Sequence, residues 1–239
     1  MPEEILLMDK ITKVYSNGFV ANKDVTFSIN KGEIHALVGE NGAGKTTTLK
    51  AVVGIHDFDS GDIFIDGHSV KAEPIACKKI TAYIPDNPDL YDFMSGIKYL
   101  NFVADIYGVS KTDREERIAK YADMLELTKD LAQHISDYSH GMKQKLAIIS
   151  AFLHDPKLII MDEPFVGLDP KATFTLKETM KELCEQGRAF FFSTHVLEVA
   201  EKLCNKVAII KDGKLVISGN TEDIVKDASL ESVFLKAEE

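Results

Sequence analysis

Residues 39–47 read Gly39-Glu40-Asn41-Gly42-Ala43-Gly44-Lys45-Thr46-Thr47, and the five residues before them are Ile34-His35-Ala36-Leu37-Val38. The first five are a short apolar run of buried-strand character, and a helical pattern over 45–53 follows the glycine-rich turn. Strand, loop and helix in that order, with the spacing G-x-x-x-x-G-K-[ST], mark a phosphate-binding loop. Its glycines let successive backbone N–H groups turn inward around an anion. The helix that follows points its positive end at the same place. Lys45 then reaches the outer phosphates, and the Thr46 hydroxyl is a magnesium ligand. Downstream, Leu158-Ile159-Ile160-Met161 delivers two carboxylates, Asp162 and Glu163, to the end of a second buried strand. One acid suffices for the metal shell, as expected of Asp162, and the second can polarise an attacking water, which suits a hydrolase.

Working outward, residues 5–14 and 24–29 alternate apolar and polar positions as half-buried strands do, with the turn Asn17-Gly18 between them. Asp66-Gly67 closes a further hairpin containing Ile63-Phe64-Ile65. From about residue 87 to 156 strand-like runs vanish, and apolar residues recur at helical spacing, as in Ile97, Leu100, Val103, Ala104 and Tyr107. Beyond Pro156 the alternation returns, with an amphipathic segment at 171–185, a buried strand at 189–193 and a hairpin about Asp212-Gly213. The expected fold is α/β: a phosphate-loop NTPase core of RecA-like type, with an N-terminal antiparallel β subdomain and an inserted α-helical subdomain. The boundaries drawn are 1–86 for the first part of the core, 87–155 for the helical insert and 156–239 for the rest. The segment 226–239 reads as a short amphipathic helix with a frayed acidic end.

The chain has 239 residues, 45% of them hydrophobic and 28% charged, as in an ordinary globular protein, and a formal net charge of −10. That charge argues against a protein whose main task is holding a nucleic-acid backbone. Cys77, Cys184 and Cys204 form neither a metal spacing nor an even disulfide framework and read as reduced, packed thiols. The start, Met-Pro-Glu-Glu, lacks the basic region of a signal peptide, and the most apolar stretch, 146–153, is too short to span a bilayer.

With these residues in place, the chain resembles the ATP-binding subunit of an ABC transporter over nearly its whole length. Tyr138-Ser139-His140-Gly141-Met142-Lys143-Gln144 is similar to the family signature LSGGQ, in a variant found in stand-alone export-type subunits, and begins a helix that Ser139 can cap. The resemblance implies that Ser139 and Gly141 contact the γ-phosphate of ATP held by an opposite subunit. It implies that Gly167-Leu168-Asp169 is the loop coupling the two sites, with Asp169 in the catalytic set. It makes His195, which follows the strand Phe190-Phe191-Phe192-Ser193-Thr194, the switch histidine, and Tyr15 the aromatic that stacks on adenine. Two departures stand out. Asp86 replaces the usual glutamine after the strand 81–85; its anionic oxygen can still serve Mg²⁺, but it is shorter and charged. His140 and Met142 stand where the commonest signature has Gly and Gln.

The resemblance therefore implies a Mg²⁺-dependent ATPase with ATP and Mg²⁺ as cofactors. Its expected partners are an integral membrane permease and a second ATP-binding subunit, identical or not, and no nucleic acid. Its expected location is the cytoplasm, peripheral on the inner face of the cell membrane. The alternatives are a soluble ABC ATPase outside transport and a regulatory partner of low activity. The Asp86-to-Met94 loop is the expected permease contact, with Leu90, Tyr91 and Phe93 as apolar anchors.

Overall fold

The computed structural model describes residues 3–226 and 228–238. β1 (Glu4–Val14) and β2 (Val20–Asn30) form a long antiparallel hairpin. β3 (Ile34–Val38) follows, then α1 (Lys45–Val52), β4 (Ser60–Ile65), β5 (His68–Ser69), α2 (Pro74–Ile80) and β6 (Thr81–Ile84). The next strand comes only after α3 (Gly96–Ile106), α4 (Lys111–Met124) and α5 (His140–Phe152). β7 (Leu158–Asp162), α6 (Pro170–Glu185), β8 (Ala189–Thr194) and α7 (Leu197–Leu203) come next, then β9 (Lys206–Lys211), β10 (Lys214–Asn220), α8 (Thr221–Ile224) and α9 (Leu230–Glu238). Thus α9 supplies the expected C-terminal helix, while its frayed end at Glu239 lies outside the described residues, as do Met1 and Pro2 of the N-terminal reading.

Two sheets result. One is four-stranded and antiparallel, in the order β2-β1-β4-β5. The other is six-stranded, in the order β10-β9-β3-β8-β7-β6, and parallel except for the edge strand β10. Every residue of β3, β7 and β8 is buried, which explains their unbroken apolar runs: a parallel sheet is covered on both faces. Alternate residues of one strand serve opposite cores. Ala36, Val38, Ile159, Met161, Phe190 and Phe192 face the side that also holds Leu100, Ala104, Ile118 and Leu146 of the helical insert. Leu37, Leu158, Ile160 and Phe191 face the side shared with α1 and the antiparallel sheet. Phe190, Phe191 and Phe192 are all fully buried, each worth roughly 1.5–3 kcal/mol of transfer free energy.

Helix α2 carries no amphipathic signal strong enough to read in seven residues; Pro74 at its first turn sets its start. Leu90 differs from the expectation of an exposed anchor. It is buried and packs into the core on the helical side, because the chain must re-enter the hydrophobic interior between Pro88 and the exposed Tyr91. All three cysteines are free and buried.

Candidate functional site

The ends of three neighbouring strands set the site. β3, β8 and β7 lie side by side and run parallel, with Val38 opposite Thr194 and Asp162 opposite Ser193. Their C-terminal ends therefore deliver the phosphate loop, His195 and the Asp162–Glu163 pair to one edge of the sheet, where ligands bind in such folds. Next to β7, β6 ends just before Asp86.

The loop residues 39–44 bend tightly over that edge. Gly44 has φ +105°, and a Cβ there would stand 2.3 Å from the Ala21 carbonyl oxygen, so no other residue fits. Behind it the fully buried Asn22 donates to Thr48 Oγ1 at 2.8 Å and to the Gly44 carbonyl at 3.4 Å, bracing the first turn of α1. Sequence reading had no means to find this brace, since Asn22 is remote in sequence and belongs to no phosphate motif. Lys45 Nζ lies inside the loop and donates to the Gly39 and Glu40 carbonyls at 2.7 and 3.0 Å. Burial pushes its ammonium below the usual lysine range, while Glu163 and Asp162 pull it back up.

Thr46 Oγ1 donates to Asp162 Oδ2 at 2.7 Å, and Ser193 Oγ donates to Asp162 Oδ1. The same Ser193 hydroxyl accepts from the Glu163 backbone N–H at 3.1 Å. Ser193 thus fixes both acids, a role that a serine inside an apolar strand does not advertise. Asp162 is only 4% exposed. Glu163 adopts φ +47°, a left-handed conformation rare for its type, and its Oε1 accepts from His195 Nδ1 at 2.9 Å. Glu40, Asn41, Gly42, Gly44, Lys45, Thr46, Thr47, Asp86, Asp162 and Glu163 line one cavity of about 290 Å³, with Phe19 at its margin.

The donor set suits a magnesium ion. A hydroxyl and a buried carboxylate already in contact, with Asp86 on the same cavity wall, are hard oxygen ligands. Among the described residues no group of three or more His, Cys, Asp or Glu could hold a metal alone, so such an ion needs further oxygens from its ligand.

The remaining predicted residues sit elsewhere. Ser139 caps α5 by accepting from the Met142 N–H at 3.3 Å, and neither Ser139 nor Gly141 lines the phosphate-loop cavity. Gly141 lies so close to the Gly167 carbonyl that a Cβ would meet it at 2.7 Å, and His140 packs on Gly167. Asp169 caps α6 through the Ala172 N–H at 2.8 Å and pairs with Lys145 of α5 at 2.7 Å; that ammonium holds its carboxyl below the usual range. The predicted signature and coupling loops are therefore one packed unit. Tyr15 does not line the cavity, although its hydroxyl lies 3.2 Å from Thr47 Oγ1. Tyr91 and Phe93 stack with centroids 5.8 Å apart and are 46% and 74% exposed. Among the described residues no helix is long and apolar enough to cross a membrane.

A family profile described as ABC transporter matches residues 22–166. The ABC-type transporter ATP-binding protein EcsA of Bacillus subtilis (strain 168) is 34% identical over 232 residues, covering 94% of this chain and 94% of that protein. The SkfA peptide export ATP-binding protein SkfE of the same organism is 36% identical over 213 residues, covering 89% of this chain and 88% of that protein. A solved structure described as the ATP binding subunit of an ABC transporter superposes with a TM-score of 0.94 at 34% identity, over 98% of this chain and 100% of that one.

Proposed function

This chain belongs to the ABC transporter family, and we propose that it is an export-type ATP-binding subunit that hydrolyses Mg²⁺-ATP to drive a separate membrane permease. The observation that carries the reading is the meeting of Lys45, Thr46, Asp162 and Glu163 in one cavity at the ends of parallel strands of one sheet.

In this reading the backbone N–H groups of residues 39–47 cradle the phosphates and Lys45 offsets their charge. Thr46, Asp162 and Asp86 would hold Mg²⁺, which would supply positive charge against the phosphates. Glu163 accepts a proton from water as the water oxygen bonds to the γ-phosphorus and the bond from that phosphorus to the β,γ-bridging oxygen breaks, leaving ADP and phosphate. His195, donating to Glu163 Oε1, keeps the carboxylate aimed, and the strained φ of Glu163 fixes its position at the strand end. The division into core, helical insert and core at residues 87 and 156 is part of the same proposal.

Ser139 and Gly141 lie outside their own chain's nucleotide cavity, which supports a head-to-tail pair in which each signature helix closes the other subunit's site. Asp169, tied to Lys145, then joins the two halves of that interface. The permease docks on the exposed aromatic surface of Tyr91, Phe93 and Phe102, and its capture holds the subunit at the inner membrane face. SkfE, a peptide export protein by name, supports export as the direction. Substituting Glu163→Gln tests the central claim: turnover should fall roughly 10²–10⁴-fold while nucleotide binding persists. Near-normal phosphate release would place the base elsewhere.

A further inference from the structure

We infer that Ser193 is a positioning residue for hydrolysis, whose single hydroxyl aims the metal-binding acid and the base together; the inference rests on the function proposed above. Ser193 is fully buried and does not line the nucleotide cavity. It lies opposite Asp162 in the parallel pairing of β7 with β8. Asp162 comes two residues after Ile160 and Ser193 two after Phe191. By the alternation of a strand, both side chains therefore leave the sheet on the face that packs against α1, whose first turn holds Thr46. The Asp162 carboxylate stands between two hydroxyls, with Thr46 donating to Oδ2 at 2.7 Å and Ser193 donating to Oδ1. A carboxylate oxygen only accepts, so the Ser193 proton goes to Asp162 and a lone pair is left for the next residue. The Glu163 N–H donates to that oxygen at 3.1 Å.

Glu163 needs such a tie. At φ +47° it is held against its backbone preference, a conformation that persists only where the surroundings over-determine it. Its N–H also reaches the Ser193 carbonyl at 3.3 Å, and its own carbonyl accepts from the Val166 N–H at 3.1 Å. His195 donates to its side chain at 2.9 Å. Of these ties, among the described residues, only the Ser193 hydroxyl also bonds the Asp162 side chain. Its removal leaves Asp162 Oδ1 without that donor on a residue 4% exposed, and in the same event loosens the backbone that carries the base.

Ser193→Thr, Ser193→Val and Ser193→Ala in the full chain test this. Thr and Val have the same shape and only Thr keeps the hydroxyl, so any overpacking at this buried site falls on both alike. In steady-state hydrolysis, kcat should be roughly ten- to hundredfold lower in Val than in Thr, and lower by a similar factor in Ala than in the wild type. KM for ATP should stay within about threefold, the mark of alignment lost without loss of nucleotide binding. Electron paramagnetic resonance of Mn²⁺ titrated in the presence of ADP should show metal affinity about tenfold or more weaker in Val than in Thr. Equal kcat in Thr and Val, with Glu163→Gln inactive, would overturn this inference alone, even if Val melts lower, because the hydroxyl would then serve the fold only. A fall in just one of kcat and Mn²⁺ affinity would overturn the claim that one hydroxyl aims both acids. Failure of the wild-type protein to hydrolyse ATP would overturn the proposed function and this inference with it.

Discussion

Lowering the pH from 7.5 to 5 should cost this fold about 2 kcal/mol at one buried side chain, His35. The imidazole sits on the central strand β3 at 1% exposure, between the rings of Phe27 and Phe191 at 5.3 and 5.8 Å. Neither ring nitrogen has a hydrogen-bond partner. Burial depresses its pKa from 6.5 to about 4; Glu33 pulls it up and Lys206 pushes it down, and these two are paired with each other at 2.9 Å. Below pH 6.5 the unfolded chain takes up a proton that the folded chain refuses until about pH 4. Stability is therefore whole above pH 6.5 and falls by about 1.4 kcal/mol per pH unit through that window, about 3 kcal/mol in all. The assay is urea unfolding of the wild type and His35→Leu at pH 7.5, 6 and 5. The shape change carries a pH-independent cost, and His154, also held low by burial, is common to both proteins. The stability difference between them should shift by about 2 kcal/mol toward the variant as the pH falls. A difference constant within about 0.5 kcal/mol, the usual spread of such comparisons, would refute the reasoning.

Two further outcomes follow from the site and its surface. Lys45→Ala, which removes a buried charge from the phosphate cradle, should weaken binding of a fluorescent ATP analogue by about ten- to hundredfold in equilibrium titration. If the proposed permease docks there, Tyr91→Ala and Phe93→Ala should each lower its co-purification by roughly tenfold or more, with an unchanged thermal melt because both rings are exposed.

What was legible in the sequence is what the chain settles locally. The phosphate loop, its flanking strand and helix, and the Asp162–Glu163 strand end are contiguous segments whose residue types are dictated by backbone shape and phosphate charge. They could be placed without knowing what packs on them. Ser139 as a cap belongs to the same class. The illegible part is carried by contacts across long intervals. Asn22 braces Gly44 and Thr48 from another sheet, and Ser193 holds Asp162 and Glu163 across 31 and 30 residues. Lys145 of α5 meets Asp169, the cap of α6, only in the folded chain. Leu90 and Tyr91 are adjacent and both apolar, yet one is buried and the other exposed, which composition cannot distinguish. Tyr15 and Phe19 stand at the two ends of one turn, and only the folded hairpin shows that Phe19 lines the loop's cavity and Tyr15 does not.

The alternation of side chains along β3, β7 and β8 turns the parallel sheet into a bulkhead between two interiors. The long helical excursion between β6 and β7 leans on one side of it only, and the antiparallel sheet on the other. A lineage can therefore resize or reshape the excursion, and with it the surface offered to a partner, by altering Phe190 and Phe192 while leaving Phe191 and its neighbours untouched. The nucleotide site, built at the bulkhead's rim, keeps its geometry while the compartment beside it is refitted for a different machine.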